Sequence, residues 1–251
     1  MAAPDSPPSN QAQRDAASYR LAELDRDFIL GEATRGIRLQ LEYAKVEERL
    51  RAWDIRSTIV VFGGGRITQD GPPHHRNWYR QARTFARIAS ERGGAISKTG
   101  DGLHNVIATG GGPGLMEAAN RGAADAGSPS IGFNIALVPE QPPNAYSTPD
   151  LTFRFQYFAI RKLHLVMRAS ALVIFPGGFG TFDEMFEILT LKQNGKTAAI
   201  PIVLFDEKYW RSVVNFDRLL QEGTITDEDV SLFGFSSDPE SAWDRLNLRK
   251  A

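Results

Sequence analysis

ALVIFPGGFGTFDE (171–184) decides the fold. An unbroken apolar run, Ala171 to Phe175, meets Pro176 and then Gly177, Gly178 and Gly180 before acidic residues appear at Asp183 and Glu184. A short continuous apolar run is the mark of a strand buried on both faces. Glycines directly after it read as a tight turn into a helix. The same design occurs twice upstream, in STIVVFGGGR (57–66) and HNVIATGGGPG (104–114). SIGFNIAL (130–137), LTFRFQ (151–156) and IPIVLF (200–205) add further strands. Helical patterns fall between them, at 77–92, 115–127, 158–170, 183–193 and 209–222, and strands that alternate with helices build a parallel sheet covered on both faces. The predicted fold is α/β, a Rossmann-like parallel sheet in one domain. In such sheets ligands bind beyond the carboxyl ends of the strands, so the three glycine turns are expected along one edge.

Outward from this centre the chain is plainer. Residues 1–20, rich in Ala, Pro, Ser and Gln, are expected to be a disordered tail, with the catalytic domain at 21–251. Apolar spacing through Ile29, Leu30, Ile37, Leu41, Val46 and Leu50 predicts a helix over 27–53, interrupted by Gly31 and Gly36. The 29 Lys and Arg nearly cancel the 30 Asp and Glu, which argues against a nucleic-acid or membrane surface. No apolar run reaches bilayer length and no hydrophobic signal core opens the chain, so a cytoplasmic location is expected. The absence of cysteine excludes disulfides, thiolate nucleophiles and thiolate-bound metals. The four histidines, at 74, 75, 104 and 164, lack zinc-site spacing, and His74-His75 falls in a Pro-rich stretch read as loop.

Glycine turns at helix starts leave backbone N–H groups free, and phosphate is their natural guest. In the second turn Gly111, Gly112 and Gly114 are candidates for phosphate or ribose contact, with a tight turn without ligand as the alternative. Leu115-Met116 stands where a P-loop needs Lys-Ser/Thr, which argues against magnesium-dependent phosphoryl transfer. Around the third turn, Thr181 and Glu184 have the spacing of a capping box, and a catalytic role for Glu184 stands beside that structural one. In the preceding helix Arg161, His164 and Arg168 share a face, with Ile160, Leu163 and Met167 opposite. That basic face is either solvated or directed at an anion, for which the arginine fork is well suited.

PGGFGTFDE (176–184) resembles the PGGxGTxxE signature of the LONELY GUY family, the cytokinin riboside 5′-monophosphate phosphoribohydrolases, often mislabelled as lysine decarboxylases. Arg161-Lys162 is similar to the family's Arg-Lys pair, and GGGPGLMEAAN (110–120) to its glycine-rich segment in the longer bacterial branch. The resemblance covers roughly residues 55 to 225. It implies hydrolysis of the base–sugar bond of a purine nucleoside 5′-monophosphate, AMP or an N6-modified ribotide, without cofactor or metal. It assigns Glu184 as the essential carboxylate, with Arg161 and Lys162 binding substrate and supporting catalysis. It gives Gly177, Gly178, Gly180 and Thr181 the phosphate, and places Asp183, Glu140 and Thr190 at the substrate. It also implies a homo-oligomer, a dimer or an assembly of dimers.

Glu184 would then stabilise the positive charge that builds on the ribose and orient the attacking water. The sequence names no acid to protonate the leaving base. One rival reading is a carrier that holds a nucleotide or the molybdenum cofactor without cleaving it. Another is a pyridoxal phosphate decarboxylase, for which no lysine stands in a fitting context. The loops at 66–78 and 138–155 are expected to wall the pocket and choose the base.

Overall fold

The computed structural model describes residues 8–96 and 100–248. Its centre is a sheet of β1 (Thr58–Phe62), β2 (Val106–Thr109), β3 (Ser130–Ile135), β4 (Thr152–Phe155), β5 (Ala169–Ile174), β6 (Ile202–Phe205) and β7 (Gly234–Ser236). The strands run in the order β4-β3-β2-β1-β5-β6-β7, with every pairing parallel. The expected Rossmann-like architecture is therefore present. β7 lies in what the sequence suggested was a mixed tail; three residues starting with glycine carry too little pattern to be read as a strand.

Strand order reverses beside β1, which pairs with β2 on one side and β5 on the other. A crevice opens at such a reversal because successive crossovers leave in opposite directions. The glycine turns after β1 and β5 flank it.

Side chains alternate across β1. Val60 and Phe62 join Phe133, Leu172 and Leu204 in one buried cluster. Ile59 and Val61 join Phe85, Phe175 and Phe205 in the other. Each fully buried side chain of this size contributes about 1.5–3 kcal/mol, so the sheet that carries the turns is held firmly from both faces.

The chain divides into two compact units, Met1–Ala44 and Lys45–Ala251. Of the expected tail, residues 1–7 lie outside the described residues; Gln11–Asp15 form a short helix and Ala17–Tyr19 a 3-10 turn, none of them buried. The expected 27–53 helix is broken in two, Arg26–Leu30 and Arg35–Ala52, with Gly31 capping the first. The Thr34 hydroxyl donates to the Phe28 and Ile29 carbonyls at 2.9 and 2.7 Å, which fixes the break. Ile37 and Leu41 are exposed, whereas Val46 and Leu50 are buried.

Two helices begin a turn earlier than their periodicity suggested. Pro73–Arg92 takes proline at its first turn, where no N–H is needed, so His74 and His75 are helical and not in a loop. Phe179–Gln193 starts inside the glycine signature. Among the described residues no helix is long and apolar enough to cross a membrane.

Candidate active site

The turns after β1, β2 and β5 converge. The Gly64 amide donates to the Pro176 carbonyl at 2.9 Å, and the Leu115 amide donates to the Gly64 carbonyl at 3.2 Å. Gly114 has φ +70°, and a Cβ there would stand 2.6 Å from the carbonyl oxygens of Gly64 and Gly65. At Gly177 a Cβ would lie 2.1 Å from the Thr181 hydroxyl and 2.9 Å from the Gly64 nitrogen. Only glycine lets these three chain segments touch. Around them opens a cavity of about 830 Å³ whose lining includes Gly63 to Gly65, Gly110, Gly177, Gly178, Gly180, Thr181, Asp183, Glu184 and Arg161.

The capping-box reading of Thr181 does not survive. The helix N-cap is Gly178, without any side-chain cap, and Thr181 lies buried within the first turn. Glycine permits the helix to start at Phe179, so Glu184 stands beyond the first turn and is free of a capping duty. The residue is 4 % exposed. Oε1 lies 3.8 Å from Nη1 of Arg161. Oε2 is buried without a hydrogen-bond partner. Burial pushes this carboxyl up to about 7, against the pull of Arg161 and Lys162. A carboxylate near neutrality with one oxygen unspent is the chemistry expected of a catalytic base.

Arg161 reaches the site from the helix Phe158–Met167. Its Nε donates to the Phe133 carbonyl at the end of β3, at 2.7 Å, which orients the fork. Burial lowers its pKa and the nearby Glu184 raises it. Lys162 does not line the cavity. It bridges Asp183 and Glu187, both at 2.7 Å, and so neutralises the acidic flank of the signature helix. The other two cations of the expected basic stripe leave the site altogether. Arg168 clamps Glu47 at 2.5 and 3.0 Å, and His164 is buried against Phe133. On the opposite face Ile160 packs against the core, whereas Leu163 and Met167 are exposed.

Gly111, Gly112 and Gly114 are absent from the lining, where Gly110 stands instead. The Gly111 N–H is already given to the Thr109 hydroxyl at 2.9 Å. Its carbonyl accepts from Asn134 Nδ2 at 3.0 Å and from Asn144 Nδ2 at 3.1 Å. Asn144 also donates to the Gly112 carbonyl and to Asn120 Oδ1. These glycines brace the turn; they do not face the cavity.

Glu140 pairs with the exposed Arg154 at 3.0 Å and does not line the cavity. Its neighbour Gln141 lies over the second turn, with Nε2 2.9 Å from where a Cβ of Gly112 would be. Thr190 is exposed and outside the lining.

Another wall comes from the 66–78 stretch expected to line the pocket, together with Tyr209, which the sequence did not single out; no residue of 138–155 is in the lining. His75 stacks on Trp78 with centroids 5.8 Å apart. The Trp78 indole donates to Asp206 at 2.8 Å and meets the edge of Tyr209 at 5.5 Å. The Tyr209 hydroxyl donates to the Gly177 carbonyl at 2.6 Å. Apart from His75–Trp78, three residues apart on one helix, these contacts join elements distant in sequence, so no local motif could reveal them. No described lysine lines the cavity, and among the described residues no cluster of three or more His, Asp or Glu could hold a metal ion.

Comparison with known proteins adds a family. Residues 116–246 match the family described as possible lysine decarboxylase. Cytokinin riboside 5′-monophosphate phosphoribohydrolase LOG1 of Arabidopsis thaliana is 33 % identical over 67 residues, 26 % of this chain and 32 % of that protein. The pyrimidine/purine nucleotide 5′-monophosphate nucleosidase of Escherichia coli K12 is 32 % identical over 192 residues, 70 % of this chain and 36 % of that protein. The chain therefore spans about a third of the length of these curated relatives. The X-ray structure of TM1055, a structural-genomics target, aligns with a TM-score of 0.55 at 18 % identity, covering 77 % of this chain and 99 % of that one, a likeness of fold.

Proposed function

This chain belongs to the possible lysine decarboxylase family, the LONELY GUY family, and we propose that it hydrolyses the N-glycosidic bond of purine nucleoside 5′-monophosphates to free base and ribose 5-phosphate. The carrying observation is the buried, unpaired Oε2 of Glu184 in a cavity rimmed by converging glycine turns. The names of two relatives, a phosphoribohydrolase and a nucleotide nucleosidase, support the same bond as the target.

Amide groups at the start of the signature helix, with the Thr181 hydroxyl, hold the 5′-phosphate. Remote binding energy from that phosphate positions the sugar. The Glu184 carboxylate stabilises the oxocarbenium-like ribose and takes a proton from the attacking water. Arg161 holds a ribose or phosphate oxygen beside it. No metal or organic cofactor is needed for these steps. Lys162 acts at one remove, holding Asp183 and Glu187 so that their charges do not repel the nucleotide. The decarboxylase description of the family finds no support, because no described lysine reaches the cavity to form a Schiff base.

The enzyme acts in the cytoplasm and as at least a dimer; the exposed Phe158, Leu163, Met167 and Phe186 on the two site helices support the dimer. Purified protein incubated with AMP and with isopentenyladenosine 5′-monophosphate, followed by chromatography, tests the activity. Release of free base supports it, and the relative rates name the preferred base. Tight binding without any release of base would favour a nucleotide carrier.

A further inference from the structure

Cleavage of a purine nucleotide leaves an electron pair on the base. Unless the base is protonated as it departs, it leaves as a poor, anionic group. Glu184 cannot both accept the proton of water and supply this one in the same step. The cavity must hold another proton donor, or none is used.

Its titratable lining is short. Asp183 is engaged by Lys162. Tyr209 has given its hydroxyl hydrogen to the Gly177 carbonyl. Arg66 and Arg161 keep their protons throughout. His74 and His75 remain, and imidazole is the side chain that exchanges a proton near neutrality. His74 is exposed. His75 is half-buried and lies nearly parallel to the Trp78 ring, 27° between planes.

Trp78 is itself pinned by Asp206 and meets Tyr209, which is tied to the phosphate turn at Gly177. The wall is thus mechanically part of the site. A nucleotide has three parts, and the cavity has three chemically distinct surfaces. Amide donors suit the phosphate, Glu184 and Arg161 suit the ribose, and a flat aromatic face with an N–H donor suits the base. The other apolar lining side chains, Phe62, Ile67, Met116, Phe158, Phe179 and Phe182, carry no N–H donor.

Resting on the nucleosidase reading above, we propose that the His75–Trp78 wall receives the purine ring and that His75 is the general acid for base departure. The C1′–N9 bond breaks and its electron pair moves into the base. The His75 imidazolium gives its proton to a ring nitrogen of the base. Water adds to C1′ and gives its proton to Glu184, and solvent exchange returns both groups to their starting states. The titratable and charged groups around His75 are His74 beside it, Arg66 in the same cavity lining, and Asp206 and Tyr209, both in contact with Trp78. Burial and His74 both hold His75 below the usual imidazole value.

The test uses two substrates. AMP needs an acid; 7-methylguanosine 5′-monophosphate carries a positive base and leaves neutral without one. With His75→Asn, kcat for AMP should fall about 10²–10⁴-fold, while kcat for the methylated nucleotide stays within about threefold. With AMP the wild-type rate should decline on the alkaline side, and that decline should vanish in His75→Asn. Equal losses on both substrates, or an unchanged AMP profile, would overturn the assignment. Glu184→Gln should lose both substrates, which separates failure of the nucleosidase reading from failure of this one. Binding supplies a readout without turnover: AMP, but not ribose 5-phosphate, should shift the His75 imidazole resonances and quench fluorescence lost in Trp78→Leu. No such shift or quench on saturation with AMP would refute the wall as the base site.

Discussion

A catalytic carboxyl held at about 7 makes the protein less stable at working pH, and Glu184→Gln should reveal by how much. The group titrates at 4.5 when unfolded and at about 7 when folded. The native state therefore binds this proton more tightly than the unfolded chain. Between those two values the unfolded state has lost the proton and the native state keeps it. Stability is intact below about pH 4.5, declines as pH rises, and reaches its full loss above 7. Raising a carboxyl from 4.5 to about 7 corresponds to about 3 kcal/mol. Glutamine mimics the protonated form in size and charge, and leaves Arg161 on the Phe133 carbonyl. Urea unfolding of wild type and Glu184→Gln should thus give matching stabilities near pH 4.5. At pH 8 the variant should be the more stable by about 3 kcal/mol. A variant no more stable than wild type at pH 8 would refute the claim that Glu184 is held there at a cost in stability.

Two other substitutions probe the frame of the site. Gly177→Ala drives a methyl into the Thr181 hydroxyl and the Gly64 nitrogen, so calorimetric titration with ribose 5-phosphate should show binding weakened at least tenfold, with a stability loss of about 1–3 kcal/mol. Asn144→Ala strips donors from the buried Gly111 and Gly112 carbonyls; thermal unfolding should register about 1–3 kcal/mol of destabilisation, and an unchanged melting curve would show that the turn needs no such brace.

The sheet was legible because β1, β2 and β5 are buried on both faces and each runs into glycine, a pattern that survives without tertiary context. Glu184 was picked out by the PGGFGTFDE signature and Arg161 by the Arg-Lys pair upstream of it, and both line one cavity. Where the reading differed, long-range contacts explain it. Thr181 has the spacing of a cap, yet the glycines let the helix begin before it. Arg168 matches Arg161 in spacing, but Glu47, 121 positions away, claims it. Gly111 and Gly112 sit in the right motif, but two buried asparagines, Asn134 and Asn144, occupy their carbonyls. The 66–78 stretch was expected to wall the pocket, but the bonds of Trp78 to Asp206 and of Tyr209 to Gly177 depend on contacts across the fold that nothing local announces.

The most direct test of the central claim is base release from AMP by wild type and by Glu184→Gln, measured by chromatography alongside calorimetric binding of ribose 5-phosphate. Wild type should release adenine, and the variant should bind ribose 5-phosphate within a few-fold of wild type while its turnover falls about 10²–10⁴-fold. A folded Glu184→Gln variant that releases adenine at the wild-type rate would contradict the account.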